Sequence, residues 1–157
     1  MSRPPSHLTP VSTRRGFTLP ELLIVIVMIS LLALVAVPRF ARANGRRHME
    51  SARMRVATGL ATARAAAIQK GRNVTFRISA HRATVFMVTG TDTLFLMSPV
   101  PLDTLYRVRA VLSTDPLLVD FSSRGFANLD NALTIGLQRA GVPNDSVVVT
   151  KTGMVQR

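Results

Sequence analysis

Apolar residues fill positions 19–37 almost without interruption, and Glu21 is the only charge among them. A helix of that length can cross the hydrocarbon core of a bilayer, which takes ~20 apolar residues. An ionisable group inside such a span is costly, on the order of a few kcal/mol, unless something neutralises it. Beyond the span the helical pattern continues in another form. Met49, Ala52, Val56, Leu60, Ala63 and Ala67 recur at three- and four-residue steps with arginines between them. That spacing predicts one long helix with an amphipathic second half. Pro38 should bend it, because an interior proline removes a backbone hydrogen bond and crowds the preceding turn. Asn44-Gly45 reads as a second weak point and Gly71 as the stop.

After Gly71 the period falls to two. Val74, Phe76 and Ile78 form one apolar row, and Val85, Met87, Leu94 and Leu96 belong to later strands. Ala80-His81-Arg82 and Gly90-Thr91-Asp92 are the expected connections, with Pro99 and Pro101 closing the first meander. Further strands are predicted near residues 106–112, 117–121, 133–137 and 147–150, with turns at Arg124-Gly125, at 141–145 and at Thr152-Gly153. The fold class is therefore α+β: a long N-terminal helix packed by its small-residue stripe on a small antiparallel sheet domain. Phe76, Phe86, Met87, Phe95 and Phe121 are most simply core.

The chain has 157 residues, one domain plus an anchor by length, and a net charge of +12. It has no cysteine, so neither a disulfide nor a thiolate site can form and the globular part rests on its apolar core. An ordinary secretory signal would have a shorter apolar core and a small-residue cleavage site, for which residues 33–37 are a poor match. A plain single-pass anchor is the stronger alternative. Arg39, Arg42, Arg46 and Arg47 follow the span and outnumber the basic residues before it, so the positive-inside rule alone would put the C-terminal domain in the cytoplasm.

The residues ahead of the span point elsewhere. Arg14-Arg15-Gly16-Phe17, with Glu21 four residues on, resembles the class III signal of type IV prepilins and type II secretion pseudopilins. The resemblance implies cleavage after Gly16 by a prepilin peptidase and methylation of the new amino terminus at Phe17. It makes Glu21 an assembly residue, facing the Phe17 ammonium of a neighbouring subunit, since two opposite charges at membrane depth satisfy one another. Pro20 is unusual just before this glutamate, but in a first helical turn its missing donor costs little. The implied divisions are a leader over 1–16, a membrane and assembly helix over 17–38, an amphipathic helix over 39–71 and a sheet domain over 72–157. The implied location is the bacterial inner membrane, single-pass, with the C-terminal domain in the periplasm, against the positive-inside count, because the peptidase site must face the cytoplasm. The implied partners are the peptidase, other pilins or pseudopilins and an assembly platform. The segment from Leu60 to Phe76, Val119 to Gly125 with an Ile135-containing strand after it, and the ending from Val147 to Gly153 resemble the pseudopilin H and FimT minor pilin group. Members fold as a helix with two packed or continuous small sheets. The function expected first is that of a minor pseudopilin of type II secretion, and second that of a minor pilin in motility, adhesion or DNA uptake. A membrane-anchored binding domain is the reading outside the family.

Enzymatic chemistry finds little to work with. His7, His48 and His81 are scattered without metal-ligand spacing, and there is no nucleophile elbow. The aspartates fall mostly in turns and are too dispersed for a calcium cage. No catalytic residue, metal or cofactor is expected. Arg124, Arg139, Lys151 and Arg157 are candidates for nucleic-acid or partner contacts near the end of the domain. Against DNA, the closing residues supply only Arg157, and aromatic platforms look scarce, with one tyrosine and no tryptophan.

Overall fold

The computed structural model describes residues 17–156. They fall into two units that divide after Arg39. Helix α1, Leu19–Lys70, supplies all the regular structure of the first unit and the opening element of the second. Pro38 lies inside it rather than at an end.

In the unit Phe40–Arg157 the helix buries Gly45, Met49, Ala52, Val56, Ala57, Gly59, Leu60, Ala63 and Ala67. This is the predicted stripe, and it is made mostly of small side chains, which let the strands come close to the helix axis. Arg72 donates to the Ala67 carbonyl and Gly71 to that of Ile68, and Gly71 takes φ 61°, a left-handed stop that glycine adopts without strain.

Among the described residues eight strands follow, all paired antiparallel. They are β1 (Val74–Ile78), β2 (Arg82–Thr89), β3 (Asp92–Pro101), β4 (Arg109–Val111), β5 (Leu117–Phe121), β6 (Leu133–Gln138), β7 (Asp145–Val149) and β8 (Val155–Gln156). They form two four-stranded sheets, ordered β3-β2-β1-β5 and β4-β6-β7-β8. Backbone bonds tie the sheets together at two places. Ala110 donates to the Ala80 carbonyl, while Ala127 bridges to Phe121 and donates to the Lys151 carbonyl. Inward residues of both sheets, among them Phe76, Val85, Val119, Phe121, Ile135, Leu137 and Val147, share one core with the helix stripe.

Several expectations need correction. The Asn44-Gly45 pair does not weaken the helix. Gly45 is buried, and a Cβ there would lie 2.8 Å from Val142 Cγ2, so the glycine admits the β6–β7 turn. The meander closes at Pro101, the last residue of β3, as expected, whereas Pro99 lies within β3, an edge strand where a missing amide breaks no ladder on the open side. The strand expected over 106–112 is present but shorter, as β4 alone, because Tyr106 ends a short unpredicted helix, α2 (Leu102–Tyr106), and Arg107 takes the left-handed region at φ 54° between the two. Phe95 is not core. It is 60% exposed, and its ring meets that of half-buried Phe86 on the outer face of the first sheet.

The closest approach of helix and sheet is at Gly59, where an added Cβ would stand 2.8 Å from Phe76 Cε2. Gly59→Val is expected to cost ~1–3 kcal/mol through overpacking. Thr58→Val, on the adjacent exposed position, should stay within about 0.5 kcal/mol. Thermal midpoints of the two variants check this.

Candidate assembly site

The start of α1 is built from four residues. Leu22 donates to the Thr18 carbonyl at 3.2 Å, which makes Thr18 the N-cap, and Thr18 N–H points to Glu21 Oε2 at 3.4 Å. Thr18-Leu19-Pro20-Glu21 thus has the order of a capping box, in which an N3 glutamate reaches back to the N-cap amide. The signal in the sequence for this cap is the Thr-x-x-Glu spacing, which the lone charge of Glu21 masks. Pro20 falls at the second helical position, where no intrahelical partner for an amide exists. The 3.4 Å separation is long for a hydrogen bond, so the carboxylate is steered toward the helix start without being saturated there. Phe17 is 82% exposed beside it. Gly16, the other side of the expected cut, lies outside the described residues.

From Leu19 to Val37 the large apolar side chains are all exposed within the chain itself, and α1 is long and apolar enough here to cross a membrane. Ser30, the one hydroxyl in the run, donates to the Ile26 carbonyl at 2.8 Å, so it presents no unsatisfied donor to an apolar surrounding.

In the folded unit several arginines prove to be internal fasteners. Arg64 Nε donates to the Gly125 carbonyl at 3.1 Å. The turns bearing Gly125 and Gly153 press on the helix there: a Cβ on Gly125 would meet Ile68 Cδ1 at 2.7 Å, and one on Gly153 would collide with the Gly125 carbonyl. Arg53 Nε is buried 3.3 Å from Asp145 Oδ2 but is not aligned for a hydrogen bond, so the two form an ion pair that links α1 to β7. Arg139 is half-buried and donates to the Tyr106 carbonyl, close to Gly45.

These positions divide the four basic candidates. Arg124 and Lys151 are exposed on neighbouring turns at the Arg64 level of the helix. Arg139 sits at the Gly45 level, nineteen residues back, which is ~28 Å along the axis. Arg157 lies outside the described residues. The structure therefore does not bring the four together. Among the described residues no group of three or more His, Asp or Glu side chains could hold a metal. His81 stands apart, 3.4 Å from Asp103 through Nδ1.

A helix with a bare apolar first part, whose later turns pack on two antiparallel sheets, defines the architectural class. Comparison with known proteins narrows it. Residues 11–37 match the prokaryotic N-terminal methylation motif. Two crystal structures of the type IV minor pilin FimU from Pseudomonas aeruginosa are similar in fold. One, at 14% identity, has a TM-score of 0.58 and covers 71% of this chain and 88% of that one. The other, at 13%, has a TM-score of 0.55 with coverages of 68% and 90%. No curated protein sequence matches. The chain is type IV pilin-like in both its N-terminal motif and its fold.

Arg64→Ala should leave the Gly125 carbonyl without its donor and loosen both turns, at a cost of ~1–3 kcal/mol. Hydrogen exchange is the check: amides of Gly125 and Gly153 should lose protection while those of β1 keep theirs.

Proposed function

We propose that the protein is a minor subunit of a type IV pilus-like filament, held in the inner membrane by α1 until assembly. The observation that carries this reading is the methylation motif over 11–37, set in register with a helix start at Thr18 and an exposed apolar run. In it the leader 1–16 is cut between Gly16 and Phe17, Phe17 is methylated, residues 17–38 enter the filament core, and Pro38 is where the helix yields. Glu21 leaves the Thr18 amide for the Phe17 ammonium of a neighbour and so fixes axial register. The prepilin peptidase, other pilins and an assembly platform are the partners, and the sheet domain faces the periplasm.

The role is that of a structural subunit rather than an enzyme. Minor status follows from charge. Removal of the three leader arginines leaves +9, and Glu21 and Arg39 cancel, so residues 40–157 carry the whole excess. Copies of one such domain repel at filament spacing, and acidic neighbours would accept it. A pseudopilus of type II secretion is favoured by the helix-to-strand segments 60–76 and 119–125, and a type IV pilus by the likeness to FimU.

Glu21→Ala tests the reading. The variant should still be cleaved and membrane-bound, but its recovery in sheared filaments should fall by at least about 100-fold, since removing one partner of a buried ion pair costs ~3–5 kcal/mol. Equal recovery of variant and wild type would contradict it.

A further inference from the structure

The outer face of the first sheet carries two rings and two arginines that lie outside the buried core. Register places Phe86 of β2 opposite Thr75 of β1 and Phe95 of β3, and Thr84 opposite Arg77. The two rings meet edge-on, with centroids 6.4 Å apart and planes at 61°. Arg77 and Arg82 are exposed on the same face, and neither has an ion pair among the described residues. A groove of about 400 Å³ joins Phe95 to both arginines, lined by Arg77, His81, Arg82, Thr84 and Phe95 among others, with Phe86 reaching it only through its contact with Phe95. The nearby carboxylates are already engaged. Asp120 accepts from the Thr75 hydroxyl, Asp115 from the Ala80 amide, and Asp103 faces His81.

Charge and shape together select the ligand. β1 and β2 are central strands whose backbone groups are used in the ladders, so a peptide could add only at the edges, β3 or β5. What the face itself offers is an exposed ring flanked by guanidinium groups, which suits planar groups on a polyanionic backbone. A duplex keeps its base faces stacked inside and cannot use the rings. We infer that this face, centred on Phe86, Phe95, Arg77 and Arg82, is a platform for single-stranded nucleic acid. Bases stack on the phenylalanines, about two or three by analogy with other four-stranded platforms, and the arginines hold phosphates. The inference does not depend on which filament the chain joins.

The test uses the full chain in non-ionic detergent and a fluorescein-labelled twelve-nucleotide oligo-dT (about the length of known single-strand sites), read by anisotropy across a salt series. Unlabelled duplex and polyglutamate of equal charge serve as competitors. Oligo-dT should bind more tightly than either competitor. Phe95→Ala should weaken it by about 5- to 100-fold, with polyglutamate unaffected, and Phe95→Tyr should restore it. Arg77→Gln should lower the salt slope by about 0.7, the loss of one phosphate contact. Equal binding of oligo-dT and polyglutamate with Phe95→Ala unchanged would reduce the face to a general anion attractor. Tighter binding of polyglutamate would make it a docking surface for acidic protein. Either result, or no binding at low salt, overturns the inference.

Discussion

One helix face organises the folded unit. Each four-stranded sheet has a single apolar side, and neither is large enough to bury that side alone. The stripe from Gly45 to Ala67 covers both, and the residues that do so are chiefly glycine, alanine and valine. Small side chains bring backbone to backbone, which is why Phe76 fits against Gly59 and Val142 against Gly45. With no disulfide available, this common core together with the strand-to-strand bonds at Ala80 and Ala127 makes the two sheets one body.

The same helix serves a different physical purpose before Arg39. There nothing among the described residues covers the apolar side chains, and the only carboxylate, Glu21, is turned toward the amide of its own N-cap. A carboxylate steered to a helix N-terminus is stabilised by the helix dipole and stays in place for a cation to find. The cap and the proposed intersubunit pair are thus successive uses of one group: the first orients it in the free subunit, and the second replaces the weak long bond with a charge pair.

How far the sequence could be read depended on which force decided each element. Where burial decided, the reading was close. The stripe Met49, Ala52, Val56, Leu60, Ala63 and Ala67 is buried as its spacing requires, and β1, β5 and β6 fall within a residue of expectation. Glycine turns at 71, 90, 125, 141 and 153 all take positive φ. Where tertiary context decided, the reading failed. Gly45 looked like a helix breaker because its packing partner, Val142, lies almost a hundred residues away. Pro99 within β3 was acceptable only because that strand is an edge, which no local pattern reveals. Phe95 was assigned inward by type, whereas irregular pairing around Val85 and the register with Phe86 set it outward. Arg139 was expected among the outward contacts, yet it, Arg53 and Arg64 hold turns and strands to the helix or to one another. What remains free on the first sheet is therefore more selective than a net charge suggests.

Both the intersubunit pair and the filament role of α1 depend on the N-terminus, so the most direct measurement is the mass and first residue of the protein isolated from membranes of cells with and without the prepilin peptidase. The chain should begin at methylated Phe17 when the peptidase is present and retain residues 1–16 when it is absent. A chain that keeps those residues in both strains would contradict this and leave α1 a plain membrane anchor.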